Sequence, residues 1–160
     1  MRVALSQRLS ETVDRLVAQF IAEESNEHAA SLAKQVSALP LVQDMGGFCG
    51  LRASGELVEV NWDEPESVRE ISDQRVANMA LYQGAKRFAD LTELSPRRTD
   101  SAVTCATCGG SGLAQVPEHL QQGVLCWCGG LGWLPSIDHE LEAMQPVAAI
   151  KRWWQFWRVG

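Results

Sequence analysis

Five cysteines are the residues of this 160-residue chain whose type and spacing could do chemistry, and four of them form two close pairs. Cys105 and Cys108 make a CxxC pair, and Cys126 and Cys128 make a CxC pair further along the chain. Zinc takes thiolate ligands in a tetrahedron, and two chain turns can each supply two of the four sulfurs. We therefore predict that these four cysteines bind one structural Zn²⁺ ion per chain.

A glycine pattern repeats after each cysteine pair. Residues 108–113 read CGGSGL and residues 128–133 read CGGLGW, twenty positions later. A backbone that turns around an ion needs residues without a Cβ atom, and its free N–H groups can hydrogen-bond the charged sulfurs. Each copy is therefore predicted to form a short, irregular knuckle, with residues 113–125 linking the two.

The first copy also carries a family resemblance. Residues 105–112, CATCGGSG, fit the CxxCxGxG repeat, and residues 105–132 resemble half of the cysteine-rich zinc domain of DnaJ-type chaperones. Those domains pair four repeats around two zinc ions, so two repeats imply one zinc ion here. The second copy departs from the family because its CxC motif is one residue short. The chain also has no His-Pro-Asp tripeptide of a J domain.

Other chemistries fit parts of this pattern. Cys105 and Cys108 alone could act as a thiol–disulfide oxidoreductase, but redox chemistry does not explain the repeated glycines. A catalytic zinc needs an open ligand position, which four thiolates do not leave. His119 and His139 could each replace a cysteine ligand, but we interpret both as surface residues. Cys49 is interpreted as a small buried hydrophobic residue rather than a nucleophile, so no catalytic or cofactor-binding residue is predicted.

The sequence patterns of the elements that position these residues predict an α+β fold with N-terminal helices and a small antiparallel sheet. The 3.6-residue apolar period predicts a helix over 5–21. A second helix is expected to start at the cap residue Ser25 and to end before Pro40. A third helix begins near Ser72 or Asp73, and a short further turn covers 88–94.

The sheet is predicted from one hairpin. Two β-prone stretches flank a turn at Ser54-Gly55, and their alternation places Val58, Val60 and Trp62 on the buried face. Together with Pro40, Gly46-Gly47 and the preceding helices, this hairpin resembles the SUKH fold, whose members are often bacterial immunity proteins. That resemblance implies a second hypothesis, in which the acidic body inhibits a toxin.

The C-terminal segment is rich in tryptophan and basic residues. On a helix, Trp154 and Trp157 share a face, with Trp153 beside them. Such a helix suits a partner groove or a membrane surface. We favour packing on the protein's own body or across a homodimer, because a short helix attached to an acidic body is a weak membrane anchor. The predicted parts are an α+β body over 1–100, a Cys₄ zinc module over 101–135 and this helix within 136–160.

Composition excludes several classes of protein. The formal net charge of −6 argues against a nucleic-acid partner, since general nucleic-acid binders carry a basic excess. We find no signal-peptide pattern and no run of about 20 apolar residues that could span a membrane, so a cytoplasmic protein is predicted.

The favoured function is a non-catalytic, zinc-stabilised binding or adaptor protein. Its candidate contact residues are Trp127, Trp133, Trp153, Trp154 and Trp157.

Overall fold

The computed structural model describes residues 1–115 and 123–134 of the chain. It divides the chain into two compact units, Met1–Ser95 and Pro96–Gly160. The first unit combines three α-helices with a four-stranded antiparallel sheet among its described residues. The predicted α+β class is therefore confirmed.

The two N-terminal helices lie close to their predicted positions. Helix α1, Gln7–Glu23, is capped by Ser6 and buries one apolar face of Leu9, Val13, Leu16 and Phe20. Helix α2, Glu27–Val36, is capped by Asn26, whose side chain accepts hydrogen bonds from two backbone N–H groups of the first turn. The predicted cap at Ser25 was wrong by one residue, because the amide oxygen of Asn26 is the group that reaches these donors.

The predicted hairpin is present as strands β2, Gly47–Leu51, and β3, Leu57–Asn61. Gly55 in its turn has a φ of +84°, and a Cβ atom there would lie 2.1 Å from the carbonyl oxygen of Val3. This turn therefore requires glycine both for its left-handed backbone and for the close approach of the N-terminal segment.

Both faces of the sheet are covered. Val58 and Val60 pack with α2, as the alternation predicted, while Leu57 packs on the opposite face in a cluster that includes residues of α1 and of the third helix. Trp62 is half-buried and donates its indole N–H to the carbonyl oxygen of Asp44 at 2.7 Å. Leu57 is buried as well because helices cover the second face, which one-sided alternation does not reveal.

Two strands of this four-stranded sheet were not predicted. Strand β1, Leu39–Gln43, and the short strand β4, Arg69–Glu70, complete the order β1-β2-β3-β4. Pro40 lies within β1 although the sequence marks it only as a helix stop. Since β1 is an edge strand with a register shift between Pro40 and Val42, the missing N–H of the proline is tolerated there.

The first unit ends in helical structure. Helix α3, Gln74–Arg87, is capped by Asp73 as predicted, and a 3₁₀ helix, Ala89–Leu94, forms the expected further turn. Across 1–115 and 123–134, the helices are all too short or too polar to cross a membrane.

The second unit holds a small antiparallel pair. Strand β5, Val103–Thr104, pairs with β6, Trp133–Leu134, so the two ends of the cysteine-bearing segment meet. An isolated antiparallel bridge pairs Leu113 with Leu125, the first and last residues of the link between the two knuckles. The predicted C-terminal helix with Trp153, Trp154 and Trp157, as well as His119 and His139, lies outside the described residues.

Candidate metal centre

The four clustered cysteines meet in the second unit. Their Sγ atoms all lie within 4.8 Å of one another, and all four residues are buried. Cys105 Sγ lies 3.8 Å from Cys126 Sγ, and Cys108 Sγ lies 3.9 Å from Cys128 Sγ. All four are free thiols in this structure. Because each of these pairs joins the two knuckles, the cluster depends on both, and it can hold a metal ion.

Backbone hydrogen bonds hold the two knuckles together in a reciprocal way. The N–H of Cys105 donates to the carbonyl oxygen of Gly132 at 2.9 Å, and the N–H of Cys126 donates to that of Gly112 at 2.9 Å. The first cysteine of each knuckle is thus bonded to the last glycine of the other. The sequence repeat therefore corresponds to a repeated hydrogen-bond pattern, which aligns the four sulfurs.

Each knuckle also directs a backbone N–H group at a sulfur. Gly112 N lies 3.3 Å from Cys108 Sγ, and Gly132 N lies 3.3 Å from Cys128 Sγ. Such hydrogen bonds favour the thiolate form and spread its charge. This bears out the sequence-based expectation that turn N–H groups reach the sulfurs.

The last glycine of each knuckle is required by the packing of one knuckle on the other. A Cβ atom on Gly112 would lie 2.3 Å from the carbonyl oxygen of Gly130, and one on Gly132 would lie 2.3 Å from that of Gly110. Both residues also have φ in the left-handed region, +74° and +77°. The glycine repeat thus serves a close approach between backbones in addition to the turns themselves.

The electrostatics of the cluster favour a bound cation. The pKa of Cys128 is raised to about 11, mainly by burial and further by the sulfurs of Cys105 and Cys108. A hydrogen bond from the N–H of Gly132 acts in the opposite direction and lowers this pKa. Burial raises the pKa of Cys126 as well. Four thiolates at this spacing repel one another, and a positive ion among them would remove that repulsion.

Cys108 differs from these two thiols. Burial alone would raise its pKa, but hydrogen bonds from the N–H groups of Gly112 and Gly110, together with its cysteine neighbours, lower the pKa to about 7. A thiol with this pKa is half ionised at neutral pH. The backbone N–H groups that face Cys108 thus favour its thiolate, which is the form that binds a metal ion.

The short CxC motif is accommodated by its central residue. Trp127 is half-buried and packs against the four-cysteine cluster. Its indole N–H donates to the hydroxyl oxygen of Thr107 at 2.7 Å. Thr107 lies between the cysteines of the first knuckle, so a cross-knuckle contact links the two inter-cysteine loops. The sequence reasoning missed Thr107, because nothing in its local pattern indicates this pairing.

The other predicted contact residue within the described part is Trp133. It is half-buried in β6 and pairs with Thr104 across the two-stranded sheet. Its backbone therefore helps to close the cysteine-bearing segment. The structure brings Trp127 and Trp133 into one unit, and their predicted role as a partner surface stays a prediction.

Cys49 lies away from this cluster, in strand β2 of the first unit. It is half-buried, and burial raises its pKa to about 12, with further increases from the carboxylates of Glu59 and Asp44. A thiol with so high a pKa is protonated at neutral pH and is a poor nucleophile. This agrees with its interpretation as a packing residue.

A groove of about 400 Å³ lies at the C-terminal end of α1. The guanidinium of Arg87 lies there over the rings of Phe20 and Phe88, at 5.3 and 5.2 Å from their centroids. It also lies 3.8 Å from the carboxylate of Glu24. These contacts join the ends of α1 and α3, so we assign this groove a structural role.

Comparison of the chain with protein-family models, with curated proteins and with solved structures found no match. The geometry and chemistry of the four-cysteine cluster are therefore the guide to function.

Proposed function

We propose that this chain is a non-catalytic protein-binding or adaptor protein whose second unit is folded around one zinc ion. The observation that carries the proposal is the approach of four buried sulfurs to within 4.8 Å of one another. A tetrahedral zinc ion with Zn–S bonds of about 2.3 Å holds its sulfurs about 3.8 Å apart. The cross-knuckle sulfur distances of 3.8 and 3.9 Å agree with that spacing.

The ligand type supports zinc as the metal. Four thiolates in a tetrahedral arrangement suit zinc or iron and do not suit magnesium or calcium, which prefer oxygen ligands. The resemblance of residues 105–132 to half of a DnaJ-type zinc domain favours zinc of the two. That domain would use Cys105, Cys108, Cys126 and Cys128 as its ligands.

The composition of the second unit supports a structural role for the ion. Among its described residues, the buried apolar side chains are Ala102, Leu134 and the four cysteines themselves. In this described part the sulfurs are thus most of the core, and so small a cluster of apolar side chains needs a staple to hold its fold. Four thiolates leave no open ligand position for a substrate, which favours a structural site over a catalytic one.

The charge of the first unit supports a protein partner with a basic surface. Residues 1–95 contain nine Lys and Arg and fifteen Asp and Glu, so the whole formal net charge of −6 lies in this unit. Complementary charge mainly raises the rate of association and selects partners. An inhibitor of a basic toxin, which the resemblance to the SUKH fold implies, is a narrower form of this proposal.

The metal-to-chain ratio tests the proposal. Protein purified without added metal is expected to hold about one zinc ion per chain by elemental analysis. Replacing any one of the four clustered cysteines by serine should lower that ratio. Cys49→Ser is the matched control and should keep the metal, because Cys49 lies in the first unit. A metal-free wild type with a reversible Cys105–Cys108 disulfide would instead establish the oxidoreductase alternative.

Binding is tested separately by capture of partner proteins from a lysate on the full chain at low and high salt. We expect a specific partner whose association slows as salt rises, since salt screens charge attraction. Sedimentation analysis of the purified chain identifies the homodimer alternative. If neither a protein partner nor self-association were found, the adaptor role would be lost while the zinc site would stand.

A further inference from the structure

The two inter-cysteine loops differ in length and contact each other through side chains. The first loop is Ala106-Thr107, whereas the second is Trp127 alone. The indole N–H of Trp127 donates to the Thr107 hydroxyl oxygen at 2.7 Å, and its ring packs against the cluster. A tryptophan side chain therefore lies where the backbone is one residue shorter.

The difference in length explains why a large side chain is useful at this position. Cys108 and Cys128 are separated by twenty positions, but Cys105 and Cys126 by twenty-one, so the second loop has less backbone with which to cover the sulfurs. Even so, Cys126 and Cys128 are each only 1% exposed. Trp127 is the single residue of this shorter loop, and its side chain packs against the cluster.

We propose that Trp127 acts as a gate that limits how fast a metal ion enters or leaves the four-sulfur site, and that its hydrogen bond to Thr107 holds the gate closed. The inference rests on the proposed zinc function. A chelator or foreign thiol that removed a zinc ion from this site would have to reach it among the four buried sulfurs. A large side chain held against the cluster by its hydrogen bond to Thr107 obstructs that approach.

The gate has a kinetic signature that a merely stabilising residue would lack. A gate slows loading and release alike, and its removal speeds both while the equilibrium affinity stays nearly the same. A residue that only stabilises the metal-bound fold would, when removed, speed release and weaken the affinity without speeding loading. The two rates and the affinity together separate these roles.

The test uses the full chain loaded with zinc and the chromophoric chelator 4-(2-pyridylazo)resorcinol as the competing ligand. Trp127→Ala is expected to release and to load zinc about tenfold faster than wild type. Trp127→Phe keeps a ring and loses the N–H, and Thr107→Val loses the acceptor. Each should speed both rates about threefold, the scale of one partly exposed hydrogen bond.

The double variant and a matched tryptophan control sharpen the test. Trp127→Phe with Thr107→Val should match either single variant, because all three lack the same hydrogen bond. Trp133→Phe removes the indole of another half-buried tryptophan of the second unit and should leave both rates unchanged. Additive effects in the double variant, or an equal change in Trp133→Phe, would count against the gate.

Metal content is measured for every variant before its rates. Equal loading and release rates in wild type and in zinc-loaded Trp127→Ala would overturn the gate and leave the zinc site intact. A wild type without metal would remove both the proposed function and the gate. If Trp127→Ala did not fold, unchanged rates in Trp127→Phe and Thr107→Val would overturn the inference on their own.

Discussion

At the residue scale, the four-sulfur cluster depends on glycines as well as on cysteines. Gly112 and Gly132 allow the two knuckle backbones to approach so closely that a methyl group on either would overlap a carbonyl oxygen at 2.3 Å. Gly109 has a comparable left-handed φ of +60°, but a Cβ atom there would meet nothing within 4 Å. A side chain at Gly109 would therefore cost only the energy of the left-handed backbone, whereas one at Gly112 or Gly132 would also overlap the other knuckle.

Gly112→Ala and Gly132→Ala are therefore expected to disrupt the second unit and to lower its zinc content. Gly109→Ala should cost only the left-handed conformation, about 1–2 kcal/mol, and should retain the metal. Elemental analysis and chelator competition of the three variants make the comparison. Equal losses in all three would show that the turn conformation alone explains the repeat.

Cys49 gives a prediction about alkaline pH. Its pKa is raised to about 12 in the folded protein, from an ordinary value of 9.0. The unfolded chain therefore loses this proton near pH 9 while the folded chain retains it, so the unfolded state binds fewer protons between these values. The contribution of this thiol to stability is full below pH 9 and falls as the pH rises towards 12.

Urea unfolding of the first unit, followed at several values of pH, measures this effect. The difference in the free energy of unfolding between wild type and Cys49→Ala should shrink as the pH rises above 9. Below that pH the difference should be constant, because the thiol is protonated in both states. A difference that stays constant up to pH 11 would contradict the raised pKa.

At the element scale, α3 lies unusually close to strand β1. A Cβ atom on Gly84 in α3 would lie 3.0 Å from the Cβ of Leu41 and 2.6 Å from its Cδ2. Glycine within a helix costs about 1 kcal/mol relative to alanine. The close contact between helix and edge strand gives a reason for its presence.

Gly84→Ala should accordingly destabilise the first unit by about 1–3 kcal/mol, because overpacking outweighs the gain in helix propensity. Leu41→Ala removes most of the obstructing side chain, so the two changes together should cost less than the sum of the single changes. Urea unfolding of wild type, the two single variants and the double variant measures the interaction energy between the two positions. Strictly additive costs would mean that Gly84 and Leu41 do not compete for the same space.

At the scale of the whole molecule, the two units hold themselves together by different means. The first unit has an apolar core shared by its helices and both faces of its sheet. In the described part of the second unit, the buried cluster consists of the four cysteines and Leu134. The stability of the second unit should therefore depend on metal, and that of the first should not.

Removal of zinc by a strong chelator is expected to unfold residues 101–134 first and to leave the first unit folded. Metal binding to such a segment contributes folding free energy on the order of 10 kcal/mol in small zinc peptides. Hydrogen exchange with mass spectrometry reads both units in one experiment. Protection that persists in 101–134 after complete metal removal would contradict a structural role for the ion.

Local patterns in the sequence determined much of this protein. The apolar period predicted α1 only two residues from its observed bounds, and the turn residues Ser54-Gly55 located the hairpin. The number and spacing of the cysteines identified the four sulfurs that the structure brings together. Each of these features is marked by residues that are close together in the sequence, within one helix, one hairpin or one cysteine pair, so local patterns are enough to identify it.

Only the tertiary structure decided how these local pieces meet. A proline after a helix is typical of a helix stop, but Pro40 lies in β1, where an edge strand with an irregular register tolerates a residue without an N–H. The reciprocal hydrogen bonds between the knuckles join Cys105 to Gly132 and Cys126 to Gly112, which are far apart in the sequence. The contact of Trp127 with Thr107 likewise spans twenty positions. Their register is set by packing around the sulfurs, and spacing along the chain does not specify which backbone groups will face each other.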